Sequence, residues 1–133
     1  MDSKFYVSLE AARLLKEKGY DRECIAYYQN DEFHPYSVDL FKLSINDKNA
    51  APFYMNQYSA PTKAEAIDWL ESKGVVIIVD EYYIIHEEDD YYTSCWGFYI
   101  RKNDECVYRD YSSDYKTRLE AEDAAIIKAL ELL

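Results

Sequence analysis

Residues 62–79 read TKAEAIDWLESKGVVIIV, and the change of period inside this stretch sets the fold class. Thr62 followed three residues later by Glu65 is a capping box, and Gly74 after Lys73 is a C-terminal stop. Between them Ala66, Ile67, Trp69 and Leu70 recur at helical spacing and supply a buried face. The run Val75-Val76-Ile77-Ile78-Val79 has no polar alternation, which predicts a strand covered on both faces or central in its sheet, extending or bending into Tyr82 to His86.

Working outward toward the C-terminus, Glu87-Glu88-Asp89-Asp90 reads as a turn, and the next segment, 96–111, is WGFYIRKNDECVYRDY. Trp96, Phe98 and Ile100 alternate with polar and small residues, so one face of this strand is buried. A two-residue turn at Asn103-Asp104 would place Ile100 opposite Val107, Phe98 opposite Arg109 and Trp96 opposite Tyr111. The other face then pairs Tyr99 with Tyr108 and Arg101 with Cys106, away from the helices. The closing stretch 117–133, TRLEAEDAAIIKALELL, predicts a second capping box at Thr117 and Glu120, with Leu119, Ala121, Ala125, Ile126, Ala129, Leu130 and Leu133 facing inward. Residues 62–133 therefore read α-β-β-β-α, and the fold class is α+β, an antiparallel sheet packed on one face by helices.

The N-terminal part completes a single domain of 133 residues. Ser8 caps a helix carrying Leu9, Ala11, Ala12, Leu14 and Leu15, and Gly19 ends it. Cys24 to Gln29 and Tyr36 to Ile45 read as two strands joined by a hairpin around Asn30 to Pro35, so residues 1–46 form a helix plus a strand pair. Residues 47–61, with Asn49, Pro52, Asn56 and Gln57, read as a loop.

Composition narrows the function classes. The net charge is −11, and residues 75–114 hold ten acids against Arg101, Lys102 and Arg109, a local charge of −7. Phosphate neutralisation supplies most non-specific affinity for nucleic acid, so this balance opposes it. No apolar run approaches the ~20 residues that span a bilayer, and the N-terminus lacks a signal-peptide layout; the expectation is a cytoplasmic protein without a membrane partner. Cys24, Cys95 and Cys106 form no CxxC pair, which fits reduced thiols and no structural zinc. The four-acid turn lacks the glycine and the downstream glutamate of a calcium loop. With only Gly19, Gly74 and Gly97 there is no phosphate-cradling loop. The one pairing suited to nucleophilic chemistry is Cys95 with His86, and neighbouring acids would raise rather than lower that thiol's pKa. The expectation is no catalytic residue, cofactor or metal.

Fifteen tyrosines cluster as Tyr27-Tyr28, Tyr82-Tyr83, Tyr91-Tyr92 and the set Tyr108, Tyr111, Tyr115. Tyrosine suits a half-buried pleated surface and is also enriched at interfaces. Tyr82, Tyr83, Tyr99, Arg101 and Tyr108 form the candidate interaction surface for a protein partner. A second copy of the chain, pairing at an uncovered edge over Glu105 to Tyr111, is one such partner.

Two resemblances follow from these residues. The segment 117–125, ending in Ala129-Leu130, resembles the last helix of double-stranded RNA-binding domains, and the α-β-β-β-α order matches their topology. That family places basic residues at the start of this helix to straddle phosphates. The matching positions here hold Arg118, Leu119 and Glu122, so the likeness implies shared topology over Pro61 to Leu133 and not shared function; the alternative is a nucleic-acid-binding module with its contact surface relocated to Arg101, Lys102, Arg109 and Arg118. The second resemblance combines Ala60-Pro61-Thr62, Trp69-Leu70, the tyrosine-rich sheet and the alanine-rich final helix, together with Ser8-Leu9-Glu10 and Lys16 to Gly19. This combination looks like small uncharacterised proteins of bacterial phages, prophages and mobile elements. That family has no assigned activity to transfer; the missing catalytic constellation and the clustered tyrosines and acids give the expectation of a non-enzymatic accessory protein acting by protein–protein contact, with nucleic-acid mimicry by the acidic segment as a variant.

Overall fold

The computed structural model describes residues 3–35 and 57–133. A 3-10 turn at Ser3–Phe5 leads into helix α1 (Leu9–Glu17), strands β1 (Tyr27–Gln29), β2 (Glu32–His34) and β3 (Gln57–Ser59), and helix α2 (Lys63–Ser72). Strands β4 (Val75–His86), β5 (Tyr91–Lys102) and β6 (Glu105–Tyr115) and helix α3 (Arg118–Leu132) complete the order. The fold is α+β, and its C-terminal part is α-β-β-β-α.

There are two antiparallel sheets, β2-β1-β3 and β4-β5-β6. The first departs from expectation. Asn30 and Asp31 both take positive φ, giving a tight two-residue turn, so Glu32–His34 is strand and not part of a longer connection. Gln57–Ser59, expected as loop, pairs with β1 because its short backbone run meets the free edge of Tyr27–Gln29. The strand expected over 36–45 and the first ten residues of the expected loop lie outside the described residues.

Helix ends follow the caps. Ser8 Oγ accepts from Ala11 N, and α2 carries the full reciprocal box between Thr62 and Glu65. In α3 the box is half formed: Thr117 accepts from Glu120 N, but the Glu120 carboxylate reaches one residue further back, to Lys116 N. Gly19 and Gly74 follow the first two helices with φ of 90° and 85°, the left-handed conformation that stops a helix cheaply only at glycine.

One core runs through the chain. Ala11, Leu15 and Tyr20 from the N-terminal part meet Trp69 and Leu70 of α2, Phe98 and Ile100 of β5, and Ile126 and Leu130 of α3. Each large side chain so buried contributes about 1.5–3 kcal/mol, and truncating one, as in Phe98→Ala, costs about 3–5 kcal/mol. Tyr20 stands edge-on to Trp69 with ring centroids 5.3 Å apart. The Tyr28 hydroxyl donates to the Val7 carbonyl at 2.8 Å, tying the small sheet to the start of α1.

The larger sheet corrects two expectations. Strand β5 is central and β4 is an edge, because both neighbours of β5 are its hairpin partners. The apolar run of β4 is accordingly buried at Val75 and only half-buried from Val76 to Val79. The turn at Asn103-Asp104 forms with positive φ at both residues, but the register is shifted. Cys106 still faces Arg101, whereas Ile100 faces Tyr108, which leaves Val107 as the extra residue of a bulge. A bulge reverses the side-chain alternation beyond it. Tyr108 therefore turns to the core face, 5.9 Å from Phe98, while Arg109 takes the place opposite Tyr99.

Candidate interaction surface

Element lengths leave part of the larger sheet uncovered. At about 3.3 Å per residue the twelve-residue strands β4 and β5 run for about 40 Å, whereas α2 and α3, with 10 and 15 residues at 1.5 Å each, span about 15 and 22 Å. The helices cover the half of the sheet that holds Val75, Phe98 and Ile100. Residues 81–94 extend beyond them as a two-stranded arm.

On the helix-side face of this arm Tyr83, Ile85 and Tyr92 are 59%, 73% and 66% exposed, where a core would normally cover them. The rings of Tyr83 and Tyr92 meet edge to face at 5.2 Å, which stiffens the face without covering it. On the opposite face His86 stacks on Tyr91 at 4.5 Å and is hydrogen-bonded through Nε2 to Thr93 Oγ1 at 3.1 Å. Glu87, Glu88, Asp89 and Asp90, all exposed, close the arm, with Asp90 at φ 53°. The arm thus carries an apolar aromatic patch directly behind a fourfold negative tip.

The candidate residues read from the sequence do not form one surface. Tyr82, Tyr99 and Arg101 share the face away from the helices, alternating with the half-buried Val76 and Ile78. Tyr83 is on the other face. Tyr108 is turned inward by the bulge, with Lys128 Nζ 4.6 Å from its ring centroid. The face away from the helices is shaped by Gly97, because a Cβ there would lie 2.3 Å from Tyr111 Cδ1. The glycine lets the Tyr111 ring lie on the sheet and meet Tyr82 edge-on at 5.4 Å, and the Tyr82 hydroxyl donates to the Tyr111 carbonyl at 2.9 Å. Burial and the nearby Asp80 carboxylate push the Tyr111 phenol up to about 12. Between Phe98 and Trp96 the partner positions jump from Asp110 to Tyr115, so residues 111–114 loop out of the ladder. Burial pushes the Asp110 carboxyl up, but hydrogen bonds from Ser112 and Tyr115 together outweigh it and hold the group below its ordinary range.

His86 and Cys95 do not meet. They pair with Tyr91 and Tyr82, four rungs apart, a separation of about 13 Å along the sheet. Cys95 and Cys24 are buried, and burial pushes the Cys24 thiol up to about 11. Cys106 is exposed, with Arg109 Nε donating to its sulfur at 3.3 Å. The basic residues of the relocated RNA surface are also dispersed. Arg101 and Arg109 lie on the face away from the helices, whereas Lys102 Nζ donates to the Leu132 carbonyl and Arg118 is held by Glu122 at 2.9 Å.

An open cleft of about 1000 Å³ lies at the start of α3 between Tyr6, Leu9, Tyr28, Tyr115 and Leu119. Three of its polar side chains hold backbone. Lys63 donates to the Lys4 carbonyl, Asp123 accepts from Ser8 N, and Glu120 accepts from Lys116 N. Among the described residues no group of three or more His, Cys, Asp or Glu converges to hold a metal ion, and no helix is long and apolar enough to cross a membrane.

Sequence reasoning identified the acidic turn and the Tyr82-Tyr83 and Tyr91-Tyr92 pairs but not the arm they build. The available signal was length, since two twelve-residue strands cannot be covered by helices of 10 and 15 residues. The chain matches no family model, no curated protein and no solved structure.

Proposed function

We propose that this chain is a non-enzymatic binding module, an accessory protein of phage or mobile-element type. Its β4–β5 arm docks in a basic groove on a protein partner in the manner of a nucleic-acid mimic. The observation that carries this reading is the joint exposure of Tyr83, Ile85 and Tyr92 behind Glu87, Glu88, Asp89 and Asp90 on an element the fold leaves uncovered. Exposed aromatic side chains on a rigid strand pair supply contact area at low entropic cost, and the acidic tip supplies attraction to a groove built for phosphates. Such a complex weakens with salt, because the tip charges are solvent-facing and screened within about 10 Å at 0.1 M. The test is affinity capture from a bacterial lysate by the wild-type chain and by Tyr83→Ser/Ile85→Ser, at two salt concentrations. The reading requires a basic protein retained only by the wild type and released by salt. Equal capture by both chains sinks it.

A second reading has its own support, which is the α-β-β-β-α order shared with double-stranded RNA-binding domains. In this reading the contact surface is the face bearing Arg101, Arg109 and Tyr99. A gel shift with duplex RNA at low salt separates the two. A shift lost in Arg101→Glu/Arg109→Glu supports RNA binding, and no shift at micromolar protein leaves the protein partner.

A further inference from the structure

The two edges of the larger sheet are built differently. Strand β6 is interrupted by two register shifts and by Ser113 at φ 66°, devices that blunt an edge against further pairing. Strand β4 has neither. Its twelve residues pair with β5 without a break, and residues 75–79 contain no Lys, Pro or charge. Among the described residues β4 has no neighbour on its other side. A long, regular, apolar edge of this kind is a template for another strand.

We infer that the edge of β4 pairs antiparallel with β4 of a second copy of this chain, about a two-fold axis at Ile77, joining the sheets into one of six strands. The strand's own sequence selects both occupant and register. A two-fold axis perpendicular to the sheet pairs residues of equal parity, so each side chain meets one on its own face. Centred on Ile77, Ile77 faces Ile77 of the partner, Val76 faces Ile78 and Val75 faces Val79, with Asp80 and Glu81 beyond the paired run. Apolar residues meet at the centre, and no acid stands opposite an acid. Centring the axis at Asp80 would oppose two carboxylates, which excludes the arm-proximal half. Val76 and Ile78, half-buried in the single chain, then stand beside each other across the joint on the face away from the helices, and each loses exposure. The arms then project from opposite ends of the joined sheet, so this interface leaves the proposed docking element free and stands without that reading.

Salt separates the two contacts. Each copy carries −11, so self-association strengthens as salt screens the repulsion, whereas docking of the acidic arm weakens. The experiment is sedimentation velocity of the full chain over a concentration series at two salt concentrations. The expected result is a shift from 15.7 kDa toward twice that mass, with at least tenfold tighter association at high salt and at least tenfold weaker association for Ile78→Lys. A second measurement guards against a variant that fails to fold. In a Cys106→Ser background, Ile77→Cys forms an intermolecular disulfide under mild oxidation, because directly opposed Cβ atoms sit about 5 Å apart. Val79→Cys does not, because its copies stand roughly 13 Å apart along the strands. A chain that stays at 15.7 kDa throughout overturns the inference. So does a dimer that cross-links through residue 79 and not residue 77.

Discussion

Gly97→Ala gives a sharp test of how the sheet is assembled, because two physical effects predict opposite signs. Alanine in an open strand removes the entropic penalty of glycine and stabilises by about 0.5–1 kcal/mol. At position 97, however, the new methyl would lie 2.3 and 2.7 Å from the Tyr111 ring and 2.8 Å from the Asp110 carbonyl. The ring must leave. Overpacking of this kind costs about 1–3 kcal/mol. Displacing Tyr111 also forfeits its edge-to-face contact with Tyr82, about 0.5–1.5 kcal/mol, and weakens the Tyr82 hydroxyl bond to the Tyr111 carbonyl, about 1 kcal/mol. The net expectation is a loss of about 2–4 kcal/mol by urea denaturation at unchanged m. In a Tyr111→Ala background only the Asp110 carbonyl obstructs, and the same substitution costs about 1 kcal/mol, a coupling of about 1–3 kcal/mol. A neutral or stabilising Gly97→Ala, or an equal cost with and without the Tyr111 ring, refutes the assigned register of β5 and β6.

Further expectations concern caps, thiols, pH and the arm. Thr62→Ala, which breaks a complete capping box, costs about 1–2 kcal/mol, and Thr117→Ala, at a half-formed box, costs about 0.5–1 kcal/mol by the same assay. Native protein treated with a thiol reagent at pH 8 labels one cysteine, Cys106, by mass spectrometry, and three in guanidinium; rapid native labelling of Cys24 or Cys95 contradicts the described packing. Burial raises the Cys24 thiol to about 11 and the Tyr20 phenol further above its ordinary range, so the folded state holds protons that the unfolded chain releases. The stability from Cys24 is therefore complete below about pH 9 and is lost as pH rises through about 11, which a falling urea midpoint over that interval measures. Tyr83→Ser/Ile85→Ser costs no more than about 0.5–1.5 kcal/mol, the value of the lost Tyr83–Tyr92 ring contact, since both side chains extend past the helices.

The fold was legible where local chemistry acts alone. Ser8, Thr62 and Thr117 cap helices, Gly19 and Gly74 end two of them, and Asn103-Asp104 turns the second hairpin. What the sequence concealed was non-local. Nothing in residues 105–111 marks Val107 as a bulge, yet that one residue turns Tyr108 from the open face to the core and puts Arg109 beside Tyr99. The Val75–Val79 run reads as central because it is uniformly apolar, but sheet order is set by which strands are hairpin partners, and β5 alone has two. The same apolar run is what leaves β4 able to accept another strand. Of the candidate surface, Tyr82, Tyr99 and Arg101 share a face, whereas the more exposed Ile85 and Tyr92 emerge only when strand and helix lengths are compared.

Amide hydrogen exchange across residues 81–94, in the free chain and with the basic protein captured by wild type but not by Tyr83→Ser/Ile85→Ser, tests the account most directly. In the free chain these amides exchange faster than those of Ile77, Phe98 and Ile100, because the arm has no helix layer. The account predicts that the partner slows exchange on the arm, at Tyr83, Ile85 and Tyr92 above all. Unchanged exchange on the arm, with protection appearing elsewhere on the domain, would contradict it.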